Sequence, residues 1–365
     1  MKKVMLVFGT RPEAIKMCPL VVELQNRESV ETVVCVTGQH REMLDSVLDA
    51  FRVTPEYDLS IMGSDQTLFD ITAKVLAGMK GVLEKEKPDV VLVHGDTTTT
   101  FASAVSAFYK GIPVGHVEAG LRTYNIHSPY PEEFNRQSVD IVSQYCFAPT
   151  ETARANLIRE GKAAENVYVT GNTVIDALKT TVRDDFTHPE LEWAKDSRLV
   201  MLTAHRRENL GEPMFRIFRA IRRVTDEFED VKIIYPVHLN PQVQHAARLQ
   251  IGEHPRIRLI EPLDVLPFHN FLARSYLILT DSGGIQEEAP SFGKPVLVLR
   301  DTTERPEGVA AGTLKLTGTD QRAVYEDFKS LLTDSGAYQK MSKASNPYGD
   351  GFASKRIADI LGIRD

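Results

Sequence analysis

Acidic side chains recur in the first half of this sequence just after apolar runs. Asp96 follows VVLVHG, Glu118 follows VGHV, and the pair Glu132–Glu133 opens a segment of helical period. Carboxylates gathered at one edge raise one another's pKa, and one site can then supply both a general acid and a general base near neutral pH. A competing reading exists for two of these places. Asp96 or Thr97 can cap a following helix, and acids in a helix's first turn stabilise its dipole. Glu118 precedes Ala-Gly and has no capping use, which favours chemistry there.

Two further segments read as jaws for a phosphate. Phe8–Lys16, FGTRPEAIK, follows one apolar run and opens a helix; Asp281–Pro295, DSGGIQEEAPSFGKP, does the same far along the chain. Each can aim backbone N–H groups and a helix dipole at an anion. Arg11 offers a planar fork and Lys16 a point charge, a natural pair for a diphosphate. The small residues Ser282, Gly283 and Gly284 form a ready nest, and one of Glu287 and Glu288 is placed to accept bonds from ribose hydroxyls. His205 with Arg206 and Arg207, His238 in PVHLN, and Arg305 in DTTERPE add polar and basic groups after other apolar runs. The bland reading of each is a solvated turn. His205, His238 and His269 lack metal-ligand spacing, so no metal is expected.

The elements that must position these groups alternate along the chain. Strand-length apolar runs fall at Val4–Phe8, Thr32–Thr37, Val90–His94, Val114–Val117 and Tyr145–Ala148. They restart at Leu199–Thr203, Lys232–Pro236, Arg258–Ile260, Tyr276–Thr280 and Pro295–Leu299. Segments of helical period lie between them; Leu68, Ile71, Val75, Leu76, Met79 and Leu83 share one face. Continuous apolar strands separated by helices predict parallel sheets covered on both sides. The expectation is α/β: two Rossmann-like, doubly wound domains facing one cleft, with ligands at the carboxyl ends of both sheets. Domain bounds are set at 1–172 and 173–350, with the linker between about Thr170 and Ser197. Residues 351–365 form a helix that packs back on the first domain.

A chain of 365 residues exceeds one ordinary core, and 42% hydrophobic with 25% charged residues is a globular composition. The net charge of −7, without a basic stripe, argues against a nucleic-acid partner. No apolar stretch reaches the roughly 20 residues of a membrane span. MKKVMLVFG reads as a buried strand, since its apolar run is short and ends in Gly-Thr-Arg-Pro. Cys18, Cys35 and Cys146 lack paired spacing and read as reduced core thiols, which suggests a cytoplasmic protein.

GTRPEAIK, TGQH, HGDT, EAGLRT, PEE-NR, GNTVID, AHRREN, PVHLN and DSGGIQEEAPSFGKPVLVLRDTTERPE, in this order, closely resemble the non-hydrolysing UDP-N-acetylglucosamine 2-epimerases of bacteria. The resemblance spans nearly the whole chain. It implies the glycosyltransferase-B arrangement, a homodimer, and interconversion of UDP-GlcNAc and UDP-ManNAc without a cofactor. It implies catalytic roles for Asp96, Glu118, Glu132 and His205, and substrate-site roles for Arg11 and Lys16. It also implies diphosphate contacts at Ser282 and Gly283, a ribose contact at Glu288, a phosphate-side Arg305, and His238 and Phe268 beside the uridine. Glu42 and Asp65 depart from members that bind a second, activating substrate molecule, so weak or absent substrate activation is expected. A hydrolysing epimerase, a glycosyltransferase and a silent UDP-sugar sensor are the rival readings. Three retained acidic sites weigh against the sensor, and the lack of a kinase domain weighs mildly against the bifunctional hydrolysing type.

Overall fold

In the computed structural model, which describes residues 1–38, 41–63 and 66–363 (backbone only at 41–43), the apolar runs pair into two sheets. The first holds β1 (Lys2–Phe8), β2 (Val30–Val36), β3 (Tyr57–Asp58), β4 (Val90–His94), β5 (Val114–Val117), β6 (Tyr145–Ala148) and β7 (Val167–Val169). Their order is β3-β2-β1-β4-β5-β6-β7. The second holds β8 (Arg198–Thr203), β9 (Val231–Pro236), β10 (Ile257–Ile260), β11 (Leu277–Thr280), β12 (Val296–Val298) and β13 (Leu314–Leu316), in the order β10-β9-β8-β11-β12-β13. Every pairing among the described residues is parallel.

Parallel sheets carry helices on both faces, and so their strands are apolar throughout instead of alternating. Val4 to Phe8 and Val90 to Val93 are all fully buried. The helix Leu68–Glu86 covers one face with Ile71, Val75, Met79, Val82 and Leu83. Leu68, expected on that face, is 39% exposed: it is the first residue of the helix after the Thr67 cap, and Phe69 beside it is also exposed. β3, β7 and β13 were not expected from the sequence: two or three residues are too short to show a period.

The chain divides into two compact units, Met1–Thr180 with Tyr348–Asp365, and Thr181–Pro347. The helix Thr173–Thr181 lies in the stretch read as linker; Val174, Ile175, Ala177 and Leu178 are buried. The terminal helix Ala353–Ile360 packs on the helix Arg11–Gln25. Asp176 caps it from outside, accepting from Ala353 N at 3.1 Å and Ser354 N at 2.8 Å. Buried Arg27 donates to Asp359 and to Ile363 O, and Lys2 to Leu361 O.

Gln39, His40 and Asp65, and the side chain of Glu42, lie outside the described residues. No helix among the described residues is long and apolar enough to cross a membrane. The three cysteines are buried and unpaired with one another, and burial pushes their thiols up.

Ile357 is fully buried where the terminal helix meets the first unit. Ile357→Ala should therefore cost about 3 kcal/mol, read as a lower midpoint in chemical unfolding; a change under about 0.5 kcal/mol would show that this helix adds little to the unit.

Candidate functional site

In each sheet the chain winds outward one way and then the other, so the strand order reverses between β1 and β4 and between β8 and β11. Turns at the carboxyl ends of such neighbours diverge and leave room for a ligand. The turns after β1, β4, β8 and β11 carry Gly9–Lys16, Gly95–Thr97, Ala204–Asn209 and Asp281–Gly284.

The first turn differs from the expected phosphate nest. Thr10 caps the helix Arg11–Gln25 in a full capping box: its side chain accepts from Glu13 N, and Glu13 Oε2 accepts from Thr10 N at 2.7 Å and Gly9 N at 3.0 Å. The other Glu13 oxygen accepts from Thr97 Oγ1 at 2.6 Å and Thr100 Oγ1 at 2.9 Å. The N–H groups meant for an anion are thus consumed internally, and buried Glu13 ties the turn after β1 to the turn after β4. Lys16 also has a different station. Its ammonium pairs with Glu118, across the same end of the sheet. The Arg11 side chain makes no hydrogen bond or ion pair among the described residues and remains available to a ligand.

The carboxylates do not crowd one another as expected; each has a separate environment. Asp96 pairs with Arg136, and Thr97, not Asp96, caps the helix Thr98–Tyr109. Arg136 also reaches Glu133 at 3.3 Å. Glu133 is fully buried and accepts from Thr123 N, Tyr124 N and Gln137 Nε2, so it is a structural group. Its neighbour Glu132 is half-buried and has no partner among the described residues. Glu118 accepts from Asn172 Nδ2 at 3.0 Å and lies 3.4 Å from His94 Nε2. Burial acts to raise the Glu118 pKa, but Lys16 and His94 outweigh it, and the carboxyl sits well below its usual range. The Lys16 ammonium makes this group a standing base, the opposite of a carboxyl kept protonated by crowding.

Beneath these turns His116, wholly buried, joins Asp140 Oδ1 at 2.6 Å to Gly95 O at 2.7 Å. Asp140 also accepts from Arg122 at 2.7 Å and Gly120 N at 3.2 Å. Burial acts to raise its pKa; His116 and Arg122 prevail and lower it.

In the second unit, Asp281 is a fully buried organiser. Its Oδ2 accepts from His205 N (2.8 Å), Arg206 N (2.9 Å) and Asn209 Nδ2 (3.0 Å), folding 205–209 against the β11 turn. Ser282 is the cap of the helix Gly283–Glu288 but makes no side-chain capping bond. A Cβ placed on Gly283 would lie 3.6 Å from Arg206 Nη2 and 3.9 Å from Arg305 Nη2, so two guanidinium groups overhang this turn. Glu287 is buried and pairs with Arg305, whereas Glu288 Oε1 lies 3.6 Å from a Cβ on Gly284. His269 Nε2 stands 3.4 Å from Glu288, and its Nδ1 meets Thr181 Oγ1 at 2.7 Å. His205 stacks on exposed His238 at 5.2 Å between ring centroids. Burial lowers the His205 pKa against the pull of Asp281, and the adjacent His238 adds to the lowering. Phe268 is half-buried on the core beside His269.

The structure thus brings Lys16, Glu118 and the Asp96–Arg136 pair onto the turns of the first sheet. It brings His205, His238, Ser282, Gly283, Gly284, Glu288 and Arg305 onto those of the second. Sequence reasoning assigned no role to Glu13, His94, His116, Arg136, Asn172 or His269. The quoted motifs contain four of these; what was missing is which side chain turns inward. Among the described residues no cluster of His, Cys, Asp and Glu could hold a metal ion.

The family model described as UDP-N-acetylglucosamine 2-epimerase matches residues 22–362. A Bacillus subtilis UDP-N-acetylglucosamine 2-epimerase is 61% identical over 359 residues, covering 98% of this chain and 94% of the relative. The Staphylococcus aureus MnaA–UDP co-structure is 54% identical with a TM-score of 0.90, covering 100% of this chain and 98% of that one. The Neisseria meningitidis UDP-GlcNAc 2-epimerase bound to UDP-GlcNAc is 48% identical with a TM-score of 0.89, covering 99% and 100%. Likeness of this degree takes in both sheets and every turn described above: the chain belongs to the UDP-N-acetylglucosamine 2-epimerase family.

Proposed function

We propose that this epimerase interconverts UDP-N-acetylglucosamine and UDP-N-acetylmannosamine without hydrolysis, as a cytoplasmic homodimer supplying N-acetylmannosamine units for cell-surface polysaccharide. The observation that carries the chemistry is Glu118, a carboxylate only 10% exposed and held ionised by Lys16. The ligands of the S. aureus and N. meningitidis structures support the substrate class.

The C2 hydrogen of an acetamido sugar is not α to a carbonyl, and a carboxylate alone removes it too slowly. Cleavage of the anomeric C–O bond, its electron pair leaving with UDP, builds positive charge at C1 and acidifies C2–H. A carboxylate then takes the C2 proton, and the C–H pair becomes the C1–C2 double bond of 2-acetamidoglucal. Proton return to the opposite face of C2 and re-addition of the UDP oxygen at C1 give the epimer. Glu118, Asp96 and Glu132 supply the acid–base groups around the sugar. Arg206, Arg305 and the uncapped Ser282–Gly284 turn hold the diphosphate as its charge grows, and Arg11 adds a further cation. Glu288, backed by His269, takes the ribose hydroxyls, and His238 and Phe268 line the uridine. Neutral His205 offers one ring N–H to the departing diphosphate without a standing charge.

Proton NMR of UDP-GlcNAc with the protein in D2O tests the reaction. Loss of the C2 proton signal together with new UDP-ManNAc is expected; free ManNAc instead identifies the hydrolysing reaction, and absence of exchange removes the proposal. Asp96→Asn, Glu118→Gln and Glu132→Gln should each lower turnover about a hundred- to ten-thousand-fold with folding intact. Near-normal rates would take that residue out of the mechanism. Lys16→Met removes the cation that favours ionised Glu118, so its carboxyl pKa rises. The acid limb of the kcat/KM profile should then move to higher pH, and an unmoved limb would separate Lys16 from the base.

A further inference from the structure

We propose that Asn172 is a positioning residue for Glu118 and is itself anchored by the segment where the chain re-enters the first unit, Tyr348–Gly351. The assignment rests on the reading of Glu118 as a proton acceptor.

Glu118 needs external positioning. Its φ of 69° lies in the left-handed region, uncommon for a residue with a side chain, and such a conformation persists where surrounding contacts enforce it. Lys16 supplies charge, but an ammonium on a flexible stem attracts without fixing direction. Asn172 is planar and buried, and both ends of its amide are committed. Its Oδ1 accepts from Val174 N at 3.0 Å, at the start of the helix Thr173–Thr181, which leaves Nδ2 to donate to Glu118 Oε2 at 3.0 Å. The Val174 N–H donor fixes which way the amide points.

The backbone of Asn172 is held in turn by the returning chain. The division between the units falls after Pro347, and the next carbonyl, Tyr348 O, accepts from Asn172 N at 2.7 Å. Gly349 follows with a φ of 140°, and a Cβ there would lie 3.4 Å from Asn172 N and 3.5 Å from Gly171 Cα. Tyr348 is 2% exposed, so this is a packed contact and not a surface one. A continuous path therefore runs from the crossover at 347–348 through the Asn172 amide to Glu118. The motif GNTVID, which the mechanism leaves without a chemical task, has a positioning one here through Asn172.

Two variants probe the path. Asn172→Asp keeps an oxygen to cap Val174 N, since Asp caps as well as Asn, but sets a second anion against Glu118 in place of a donor. The titratable groups facing Glu118 among the described residues are Lys16, on the helix Arg11–Gln25, and His94, on β4; neither is altered. Ionisation of Glu118 is then opposed, so its pKa rises and the acid limb of kcat/KM moves to higher pH. Turnover should drop about a hundredfold. Gly349→Ala replaces no side chain around Glu118 and should lower kcat about tenfold, because a side chain is strained at a φ of 140° and the segment that holds the Asn172 backbone must shift. It keeps the test decisive if Asn172→Asp fails to fold. UDP affinity by calorimetry should stay within about twofold of wild type in both, since UDP is assigned to turns of the other sheet.

C2 deuterium exchange, steady-state kinetics across pH and UDP titration are measured on wild type and both variants. Wild-type turnover in the folded variants, or a loss of UDP affinity equal to the loss of turnover, overturns the Asn172 assignment alone. A wild-type enzyme that exchanges no C2 hydrogen overturns the reading of Glu118 and this assignment with it.

Discussion

The Lys16–Glu118 ion pair joins the helix Arg11–Gln25 to the end of β5 across 102 residues of sequence. With side chains 15% and 10% exposed, both charges are mostly withdrawn from water, and each favours the ionised form of the other. The pair therefore fixes how the helix Arg11–Gln25 meets the end of β5, and with it the registry of the turns after β1 and β5. It also removes Lys16 from the cations available to a phosphate. Arg11, five residues earlier on the same helix, makes no hydrogen bond or ion pair among the described residues. Two basic residues that look equivalent in a motif are separated by the carboxylate that one of them meets.

The same division recurs wherever two acids are adjacent. Glu133 is buried under backbone donors and holds the 123–124 turn, while Glu132 keeps a carboxylate without a partner among the described residues. Glu287 is buried against Arg305, while Glu288 faces the glycine turn. One acid of each pair builds the wall and the other is presented from it. Helical geometry enforces this, since consecutive side chains are about 100° apart and cannot both point inward. Glu13 and Asp281 extend the pattern: each is a buried carboxylate spanning two turns of its sheet by accepting several N–H and O–H groups.

Strand runs, helix faces and the residues at strand ends were legible in the sequence because each leaves a periodic or positional trace. Val4–Phe8 and Val90–His94 could be read from composition, and Asp96 and Glu118 from their place just after such runs. β3, with two residues, left no trace. Nor did partners chosen across the sheet: nothing local joins Lys16 to Glu118, 102 residues away, or Asn172 to Tyr348. The expectation of mutually raised carboxyl pKa values went wrong for the same reason. It counted acids in the sequence, whereas the pKa answers to the nearest charge, which for Glu118 is a cation. The capping choice between Asp96 and Thr97 also turned on a distant contact, since Arg136 draws Asp96 away and leaves Thr97 to bond Thr100 N.

The two helix starts that looked alike in sequence differ in what saturates them. At Thr10 the capping box closes the helix, and the Glu13 carboxylate already occupies the place an anion would take. A phosphate brought there would displace a carboxylate that also secures Thr97 and Thr100, so affinity would be gained only by loosening the turn that carries Asp96. At Ser282 no side chain caps the helix, and the guanidinium groups of Arg206 and Arg305 overhang the turn, with Glu288 beside Gly284. An anion arriving there satisfies donors and completes the electrostatics instead of competing with them. Of the two turns, the second is therefore the one whose donors are left open to an anion, while the first is closed by its own carboxylate.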